Sequence, residues 1–523
     1  MKSIRIQNLR SLTDTGYIDL KPITLVVGQN SSGKSTFLRF FPLLRQSIES
    51  RTTGPLLWYG RFVDFGSFQE AITKRSSGNS IIFTFDFQLV PLPQRPILFN
   101  DVIFDQNRLT NQRFDIRFSL NITGNAKQES NWISECVIEF AEEHVIKINF
   151  EKNGKVNKLS VNNKDFLDVI THLHGISQRD GFVPVLMWDS PEATSKFITA
   201  TDQLLKILFN HVSSLVHKNT QGKTILEILS NLIIGSSHNM LSVMKDIKAT
   251  NTWTNLISNW DTNSSDFIEL RDLIIATSIP ELLRSCDACI TEFAANNRYI
   301  APVRATAERY YRLQDLAVDE VDFQGQNLAM FLRNLTQTEL ADFSAWTKEN
   351  FGFSPEISPS SGHVSLQLRS VDAPDLFNLA DQGFGYSQIL PILTQLWAIV
   401  YQRSRQARSK ARRYNTPLTF AIEQPELHLH PYLQAQLVDA FIVSIRAAKQ
   451  RGVDLRLILE THSETIVNRI GNKIHANALS PDDVNVVLFE KATASKPSVV
   501  RLSAYDQEGY LTNWPFGFFD PAE

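Results

Sequence analysis

The sequence predicts an α/β fold in which a mixed sheet is joined by an antiparallel β-subdomain and a helical insertion. Strand and helix signals alternate over about the first ninety residues and again from about residue 375 onward. Between them lies a region of alternating apolar and polar residues, typical of half-buried strands, followed by a region with helical periodicity. The two outer regions are therefore expected to form one domain whose sequence is interrupted by a long insertion.

The individual elements follow from local patterns. The segments "SIRIQNL" and "ITLVVG" predict strands, and a helix is expected from "GKST" through "FLRFFPLLRQSI". A meander is predicted from "IIFTFDFQLV", "RFDIRFSLNI", "CVIEFAEEHVIKINF" and "KLSVN". The pattern is helical from about Lys196 to Asn296, and "NRYIAPVR" then predicts a return to a buried strand.

Composition narrows the class of protein. A chain of 523 residues is long enough for two or three domains, and a net charge of −3 excludes a chain-wide attraction for nucleic acid. The three cysteines, Cys136, Cys286 and Cys289, make no disulfide framework, and the CxxC pair at 286 and 289 has no second pair to complete a zinc site. The N-terminus reads as a strand, and no stretch reaches the roughly 20 apolar residues of a membrane span. The chain is therefore expected to be soluble and cytoplasmic.

The segment "GQNSSGKS" matches the pattern G-x-x-x-x-G-K-[ST] and lies between an apolar strand and a helix. Gly28 and Gly33 allow the backbone to curl so that its N–H groups face phosphate oxygens. Lys34 is expected at the β- and γ-phosphates, and the Ser35 hydroxyl at Mg²⁺. The candidate phosphate-binding residues are Gly28, Asn30, Ser31, Ser32, Gly33, Lys34, Ser35 and Thr36.

Two later strands end in residues suited to the same site. The strand "LTFAIE" is apolar throughout and ends in Glu423, a carboxylate placed where α/β sheets bind ligands and available for Mg²⁺. A second strand, "LRLILETHS", is expected to reach His462 at its tip. A histidine there can donate to a γ-phosphate or to the attacking water.

The segment "LADQGFGYSQILPIL" offers a second anion site. Gly383 and Gly385 are expected to precede a helix, with Ser387 and Gln388 close by, so that exposed backbone amides meet the positive end of the helix dipole. If this site is of the signature type, it would serve the P-loop of a partner subunit rather than that of its own chain. The expectation is then a head-to-tail dimer with nucleotide at its interface.

The order of these motifs resembles a known family. "IRIQNLRSLTDTGYIDLKPITLVVGQNSSGKST", "LADQGFGYSQILPIL", "FAIEQPELHLHP" and "LILETHSE" together resemble the P-loop ABC-type ATPase heads of the SMC, RecF and OLD-nuclease group, over roughly residues 1–90 and 290–523. "YIAPVR" and "NWPFGFFD" look like a subgroup of prokaryotic ATPases that carry a C-terminal domain of unknown function. Members that resemble this chain occur in antiphage systems, among them the Septu ATPases that work with an HNH nuclease. The resemblance implies ATP and Mg²⁺ as cofactors and a homodimer or higher homo-oligomer formed through the heads.

The resemblance also implies roles for individual residues. These are phosphate and Mg²⁺ contacts for Lys34 and Ser35, a Walker B role for Glu423, a switch role for His462, and a signature-like loop at Gly383, Gly385 and Ser387. Asn30 matches the asparagine usual in the P-loop of this group. Gln69, in "FGSFQEA", is the candidate Q-loop glutamine, with a surface residue as the alternative. Arg10, in "NLRSL", falls where the group often has an arginine near nucleotide or DNA.

The acidic strand departs from the family pattern in two ways. Glu423 stands where the family has aspartate, with the same charge on a side chain one methylene longer. Gln424 stands where the family has the catalytic glutamate, and an amide orients water without accepting its proton. Glu426 is a candidate replacement base. His428 and His430 are interpreted as structural and facing the dimer rather than as metal ligands.

The expected domains are residues 1–163, the first part of the ATPase head with the β-meander; residues 164–296, a helical insertion subdomain; and residues 297–523, the second part of the head. The 61 residues after His462 are too few for an OLD-type nuclease domain and are expected to complete the head sheet. A basic stretch, "RSRQARSKARR", runs from Arg403 to Arg413 and either contacts nucleic acid or forms a solvated helix end.

The sequence is consistent with two main functions. The first is a slow ATPase that dimerises around nucleotide and regulates a partner effector, expected to be an HNH-type nuclease, in antiphage defence. The second is a RecF- or SMC-like DNA-binding ATPase of DNA repair, which requires the basic stretch on DNA and productive ATP cycles. A transporter ATPase is less favoured because the signature is atypical and nothing suggests coupling to a membrane subunit.

Overall fold

A computed structural model describes residues 1–74, 78–89, 97–99, 102–104, 113–125, 130–166, 171–178, 180–189, 197–315, 317–371, 375–401, 416–491, 498–515 and 518. The chain forms two compact units. The first contains Met1–Asn8, Gln46–Tyr59 and Phe65–Glu292, and the second contains Leu9–Arg45, Gly60–Asp64 and Phe293–Glu523. Of residues 164–296, expected to form a helical insertion subdomain, residues 164–292 lie in the same unit as the β-meander.

The elements are numbered in chain order. The strands are β1 (Ser3–Leu9), β2 (Leu12–Asp14), β3 (Ile18–Asp19), β4 (Ile23–Gly28), β5 (Ser80–Leu89), β6 (Ile97–Phe99), β7 (Val102–Phe104), β8 (Phe114–Asn125), β9 (Ser130–Phe140), β10 (His144–Phe150), β11 (Val156–Val161), β12 (Lys164–Asp165), β13 (Leu173–Ile176), β14 (Val185–Asp189), β15 (Phe197–Thr199), β16 (Asn297–Ile300), β17 (Tyr311–Arg312), β18 (Phe353–Ser360), β19 (His363–Ser370), β20 (Leu376–Asn378), β21 (Leu418–Glu423), β22 (Leu455–Glu460), β23 (Val484–Glu490), β24 (Val499–Tyr505) and β25 (Leu511–Thr512). The α-helices are α1 (Lys34–Glu49), α2 (Phe68–Ala71), α3 (Ala200–Ser214), α4 (Gly222–Asn231), α5 (Ser237–Asp246), α6 (Asn251–Ser258), α7 (Ser265–Ala295), α8 (Leu328–Asn334), α9 (Gln337–Phe351), α10 (Phe384–Tyr401), α11 (Pro431–Gln450) and α12 (Glu464–His475).

The second unit is built on a seven-stranded mixed sheet in the order β16-β21-β22-β4-β23-β24-β25. The first five strands run parallel, and β24 and β25 close one edge in antiparallel pairing. Every residue of β4 and of β21 is buried, as their unbroken apolar runs predict for strands covered on both faces. The sheet therefore confirms the predicted α/β fold, and β23 to β25 confirm that the last segment completes it.

Apolar side chains hold helices onto this sheet. Ile23, Leu25 and Val27 alternate along β4 and lie in one hydrophobic cluster with residues of α8 to α12. On α1, Phe37 packs against Phe489 of β23 with ring centroids 5.8 Å apart. Burying such side chains contributes about 25 cal/mol for each Å² of apolar surface removed from water. A smaller antiparallel sheet in the same unit has the order β17-β19-β18, with β20 paired to β19.

The first unit contains an antiparallel sheet, in which neighbouring strands pair in the order β12-β11-β10-β9-β8-β5-β1. Burial alternates along β8, as expected for strands with one face toward a core. The segment "CVIEFAEEHVIKINF", predicted as one stretch of the meander, is a hairpin of β9 and β10. Its turn lies at Ala141 and Glu142, both with positive φ, so the usual Gly or Asn signal is missing.

Helices α3 to α6 and helix α7 up to Glu292 belong to the first unit and confirm the helical pattern, which begins at Ala200. The longest is α7, with 31 residues and Pro280 inside it. Cys286 and Cys289 lie on this helix, buried and unpaired by any disulfide. Their spacing is thus explained by one buried helix face. Within the described parts of the chain, no helix is long and apolar enough to cross a membrane.

One carboxyl group in the first unit gives a pH-dependent prediction. Asp287, on α7, is buried and accepts the backbone N–H groups of Phe182 and Val183 at 2.7 and 2.8 Å. Burial raises the pKa of the Asp287 carboxyl to about 6, although these backbone hydrogen bonds act in the opposite direction. Because folding raises this pKa, the stability that the bound proton contributes is fully present below about pH 4 and is lost as pH rises through about 6.

We therefore expect Asp287→Asn to stabilise the chain above pH 6 relative to the wild type, because the amide remains neutral and still accepts hydrogen bonds. The difference in thermal midpoint between variant and wild type should shrink toward pH 4. Thermal unfolding followed by circular dichroism between pH 4 and 8 measures it. A difference that is constant across this range, or largest at pH 4, contradicts the prediction.

Candidate nucleotide-binding site

The loop between β4 and α1 has a backbone that requires glycine at two positions. Gly28 has φ +148°, and a Cβ there would lie 2.2 Å from the carbonyl oxygen of Phe489. Gly33 has φ +111°, and its Cβ would lie 2.5 Å from Leu12 Cδ2. Both conformations favour glycine, and neither position has space for a side chain. The predicted cradle is therefore formed by the backbone itself.

The remaining P-loop residues lie around this turn. Lys34 is buried, and its ammonium group donates to the carbonyl oxygen of Gln29 at 2.6 Å. Burial lowers the pKa of Lys34, and the nearby Glu460 carboxylate opposes that shift. The other predicted members differ in exposure: Asn30 and Ser31 are exposed, Ser32 is buried, and Ser35 and Thr36 are half-buried. Lys34 and Ser35 begin α1, so the helix N-terminus faces the loop.

Two carboxylates stand side by side at the ends of neighbouring strands. Strands β21 and β22 run parallel with Glu423 opposite Glu460, and β22 in turn pairs with β4. The prediction that the second strand extends to His462 is wrong, because β22 ends at Glu460. The Ser463 hydroxyl accepts the backbone N–H of Ile466 and caps α12, which turns the chain out of the sheet. A glutamate, rather than the histidine, therefore occupies the strand tip.

Glu460 lies against the P-loop. The Ser35 hydroxyl donates to Glu460 Oε1 at 2.7 Å. The other carboxylate oxygen, Oε2, is buried and has no hydrogen-bond partner among the described residues. Burial, and then the neighbouring charge of Glu423, raise the pKa of Glu460 to about 7. An acidic group with an open oxygen thus lies beside the hydroxyl predicted to meet Mg²⁺.

Glu423 has both oxygens occupied by other side chains. Arg39 on α1 donates through Nε to Oε1 at 2.7 Å and through Nη2 to Oε2 at 2.8 Å, and the Tyr299 hydroxyl donates to Oε1 at 2.7 Å. Ser35 and Arg39 are four residues apart on one helix face, and Glu460 and Glu423 are on adjacent strands. The helix therefore brings Ser35 to Glu460, on the strand next to β4, and Arg39 to Glu423, on the strand beyond it.

Glu426 organises the segment that carries His462. Its Oε1 accepts the backbone N–H of His462 at 2.8 Å, and its Oε2 accepts the Thr461 hydroxyl at 2.9 Å. Burial raises the pKa of Glu426, against the effect of these hydrogen bonds. The His462 side chain is exposed; partial desolvation of its ring and the charge of Lys34 lower its pKa. The predicted switch histidine and the predicted replacement base are thus in direct contact.

Gln424 has a left-handed backbone, with φ +44°, directly after β21. Its backbone N–H donates to the carbonyl oxygen of Glu460 at 2.8 Å. The side chain is half-buried, and no hydrogen bond to its amide is found within the described part of the chain. The main chain at Gln424 is therefore tied to the neighbouring strand end, whereas its amide remains available.

Arg304, the last residue of "YIAPVR", is buried beneath this turn. Its Nη2 donates to the backbone oxygens of Glu423 at 2.9 Å and Gln424 at 3.4 Å. Burial lowers the pKa of Arg304 to about 10, although Glu426 and Glu423 oppose the shift. The guanidinium of Arg304 thus holds the backbone at the end of β21, next to Glu423 and Gln424.

The signature-like loop packs near the turn after β21. Gly383 precedes α10, whereas Gly385, which was also expected before the helix, lies in its first turn. A Cβ on Gly385 would lie 3.3 Å from the carbonyl oxygen of His428, and the His428 ring lies 5.7 Å from the exposed ring of Phe384. The Ser387 hydroxyl donates to the carbonyl oxygen of Phe384 at 2.8 Å. This loop therefore presents an aromatic residue rather than a free serine hydroxyl.

Other predicted residues lie elsewhere. Gln69 is half-buried on α2 in the first unit. Arg10 donates to the carbonyl oxygen of Asp64 at 2.9 Å. The His430 ring accepts the backbone N–H of Tyr432 at 3.2 Å and caps α11, consistent with its structural interpretation. The basic stretch from Arg403 to Arg413 lies outside the described residues.

Four residues of this site were missed by the sequence analysis: Arg39, Tyr299, Arg304 and Glu460. Only Glu460 carried a local signal, since "LILE" ends an apolar strand in glutamate just as "FAIE" does. Choosing between the two glutamates requires the order of strands in the sheet. The partners of Glu423 come from segments 384 and 124 residues away along the chain.

The phosphate-type cradle before a helix and the acidic ends of the neighbouring parallel strands define a nucleotide-binding protein of the P-loop class. The chain matches the family model described as the AAA ATPase domain over residues 1–467 and therefore belongs to that family. Its fold is the α/β fold of a P-loop ATPase.

Solved structures with similar chains include two SMC heads and the recombination mediator RecF. An SMC head bound to the C-terminal winged-helix domain of ScpA is 10% identical, with 97% of this chain and 98% of that chain covered and a TM-score of 0.35. The SMC head domain from Thermotoga maritima is 9% identical, with 96% and 98% covered and a TM-score of 0.30. The recombination mediator RecF with ATP is 11% identical, with 96% and 98% covered and a TM-score of 0.27. No curated protein matches the chain.

The pair between Arg39 and Glu423 gives a stability prediction. The Glu423 side chain is 2% exposed and that of Arg39 is 34% exposed. We expect Arg39→Ala to lower the free energy of unfolding by about 2–4 kcal/mol, because it leaves a buried carboxylate whose remaining side-chain partner among the described residues is Tyr299. Adding Glu423→Gln should recover much of the loss by removing the uncompensated charge. Denaturant unfolding of the single and double variants measures both effects.

Arg369→Ala is the matched control, since Arg369 also pairs with a glutamate through two nitrogens but on an exposed strand surface. Its effect should be small because water screens exposed pairs. An Arg39→Ala variant no less stable than this control, or a double variant weaker than Arg39→Ala, contradicts the proposed importance of the buried pair.

Proposed function

We propose that this chain binds ATP with Mg²⁺, hydrolyses it slowly, and acts as an ATP-controlled regulator of a partner effector, expected to be an HNH-type nuclease of an antiphage system. The observation that carries the proposal is the arrangement of the P-loop and the strand ends, with an amide at position 424. The proposed role in defence and the nuclease partner derive from the motif resemblance.

The residues of the site fit a magnesium nucleotide. The P-loop would hold the phosphates through its backbone N–H groups and Lys34, and Mg²⁺ would be held by Ser35 and a carboxylate of the Glu423–Glu460 pair. The unpartnered Oε2 of Glu460 is a donor atom of the kind that Mg²⁺ prefers. Within the described ranges no group of three or more Asp, Glu, His or Cys side chains forms a protein cage. That suits Mg²⁺, which keeps water and phosphate oxygens in its shell and there neutralises phosphate charge.

Slow hydrolysis follows from the groups available to the attacking water. Gln424 can orient water but cannot take its proton. The Glu426 carboxylate is engaged by Thr461 and by the backbone of His462, which supports a role in holding the switch segment. Glu426 remains the candidate base and His462 the candidate phosphate sensor. An ATP-bound state that persists is the expected result.

A persistent ATP-bound state suits a regulator. A ligand shifts an equilibrium by binding one state more tightly, and no rapid turnover is needed for that. We propose that two heads close around ATP, with the loop of Gly383, Gly385 and Ser387 meeting the P-loop of the second copy. Exposed Phe384 and His428 are then at the contact. A nuclease co-purified with this chain should change its cleavage rate with ATP occupancy.

The second candidate function is a RecF- or SMC-like ATPase that acts on DNA. The basic stretch from Arg403 to Arg413 favours it, because clustered positive charge binds phosphate backbones. Tight, salt-sensitive DNA binding by the isolated chain, lost when these residues are neutralised, would support this function over a purely regulatory one.

The predicted effect of the amide can be measured directly. We expect a slow wild-type ATPase and an increase of about 10²-fold in Gln424→Glu, because a carboxylate restores a proton acceptor next to the attacking water. Phosphate release under single-turnover conditions, after ATP binding has been measured separately, gives the rates. Lys34→Ala serves as the control and should lose ATP binding.

A brisk wild-type rate that Gln424→Glu leaves unchanged would show that the amide does not limit turnover. If Glu426→Gln then abolished that rate, the general base would be Glu426, two residues after Gln424. Unaltered ATP binding in Lys34→Ala would argue against the P-loop as the nucleotide site altogether.

A further inference from the structure

The two buried glutamates differ in what their oxygens contact. Glu460 Oε1 accepts the Ser35 hydroxyl at 2.7 Å, whereas its Oε2 has no partner among the residues the structure describes. Both oxygens of Glu423 are taken by Arg39, and one also accepts the Tyr299 hydroxyl. One carboxylate therefore has an open coordination position next to the P-loop, and the other has its charge neutralised by the protein.

An open oxygen in this position is costly unless a ligand uses it. Glu460 is 2% exposed, and leaving a buried polar atom unpaired costs about 1–3 kcal/mol, more when the group is charged. The neighbouring Glu423 adds like-charge repulsion, and the nearby cation, Lys34, donates to the backbone at Gln29. A glutamate that served packing alone would be better replaced by an uncharged residue.

Strand order explains why the two roles fall on these strands. Glu460 ends β22, which pairs directly with β4, so that its carboxylate reaches Ser35 in the first turn of α1. Glu423 ends β21, one strand further away, and reaches Arg39 in the next turn. For Glu423 to approach Ser35, it would have to leave Arg39 and Tyr299.

We propose that Glu460, rather than Glu423, is the carboxylate that holds Mg²⁺ beside Ser35, directly or through a bound water. Glu423 is a positioning residue that fixes α1 over the strand ends through Arg39. The inference rests on the proposed binding of magnesium nucleotide at the P-loop. It differs from the assignment by motif order, which places the metal at Glu423.

Metal affinity, measured apart from turnover, tests the assignment. Mn²⁺ replaces Mg²⁺, and its binding to the protein–ATP complex is followed by electron paramagnetic resonance. Binding of a fluorescent ATP analogue is measured in parallel with Mg²⁺ and with EDTA. We expect Glu460→Gln to weaken Mn²⁺ binding by about tenfold or more while keeping the affinity for the analogue in EDTA. Exposed Glu464→Gln, four residues along the chain, is the matched control and should match the wild type.

Thermal midpoints separate a metal-binding role from a structural one. Glu460→Gln should be as stable as the wild type or more stable, because it removes a buried charge beside Glu423. Glu423→Gln should be less stable, because Arg39 loses its partner, and should keep Mn²⁺ affinity close to that of the wild type. A loss of Mn²⁺ binding in Glu423→Gln with binding retained in Glu460→Gln overturns the inference. An equal loss in both variants also overturns it.

The same binding measurements distinguish an error in the proposed function from an error in the assignment of Glu460. If the wild type binds no nucleotide with Mg²⁺, or binds it no better than Lys34→Ala does, the P-loop site itself is refuted and the metal assignment with it. If the wild type binds nucleotide through Lys34 and Glu460→Gln keeps full Mn²⁺ affinity, only the assignment of Glu460 is refuted.

Discussion

Two like charges held next to each other in the protein interior constrain the whole site. Glu423 and Glu460 are paired in register on adjacent parallel strands, so their backbones are held about 4.8 Å apart, the spacing of hydrogen-bonded strands. The two backbones cannot separate without breaking the pairing of β21 and β22. The protein neutralises one of them with a guanidinium and a phenol and leaves the other facing the P-loop. In the proposed assignment, this asymmetry makes one carboxylate part of the scaffold and the other part of the binding site.

Helix α1 connects the loop to both strand ends. Its first turn contacts Glu460 through Ser35, and its second contacts Glu423 through Arg39, so that the phosphate loop cannot shift alone. Arg304 supports the backbone of the turn after β21, because its guanidinium donates to the carbonyl oxygen of Glu423. A bound nucleotide would therefore meet a site whose main chain and charges are already in place, which reduces the cost of ordering it on binding.

The residues that follow β21 and β22 contain the groups proposed to contact the attacking water. Glu426 is used to hold Thr461 and the backbone of His462, and Gln424 contributes an amide at a strained backbone position. The groups nearest the predicted path of the attacking water thus favour orientation over proton transfer. Under the proposed function, a site with this chemistry retains ATP rather than turning it over rapidly.

Local patterns in the sequence determined the elements of the fold and the identity of the P-loop. The apolar runs of β4 and β21 predicted buried parallel strands because both faces of such strands are covered, and Gly28 and Gly33 stand where the backbone has no space for a side chain. The hairpin turn at Ala141 and Glu142 was missed because its residues are not typical of turns. Which glutamate meets Ser35 was decided only by the tertiary structure, since strand order in a parallel sheet depends on crossover packing rather than on local sequence. The partners of Glu423 likewise come from distant segments and leave no local periodicity to detect.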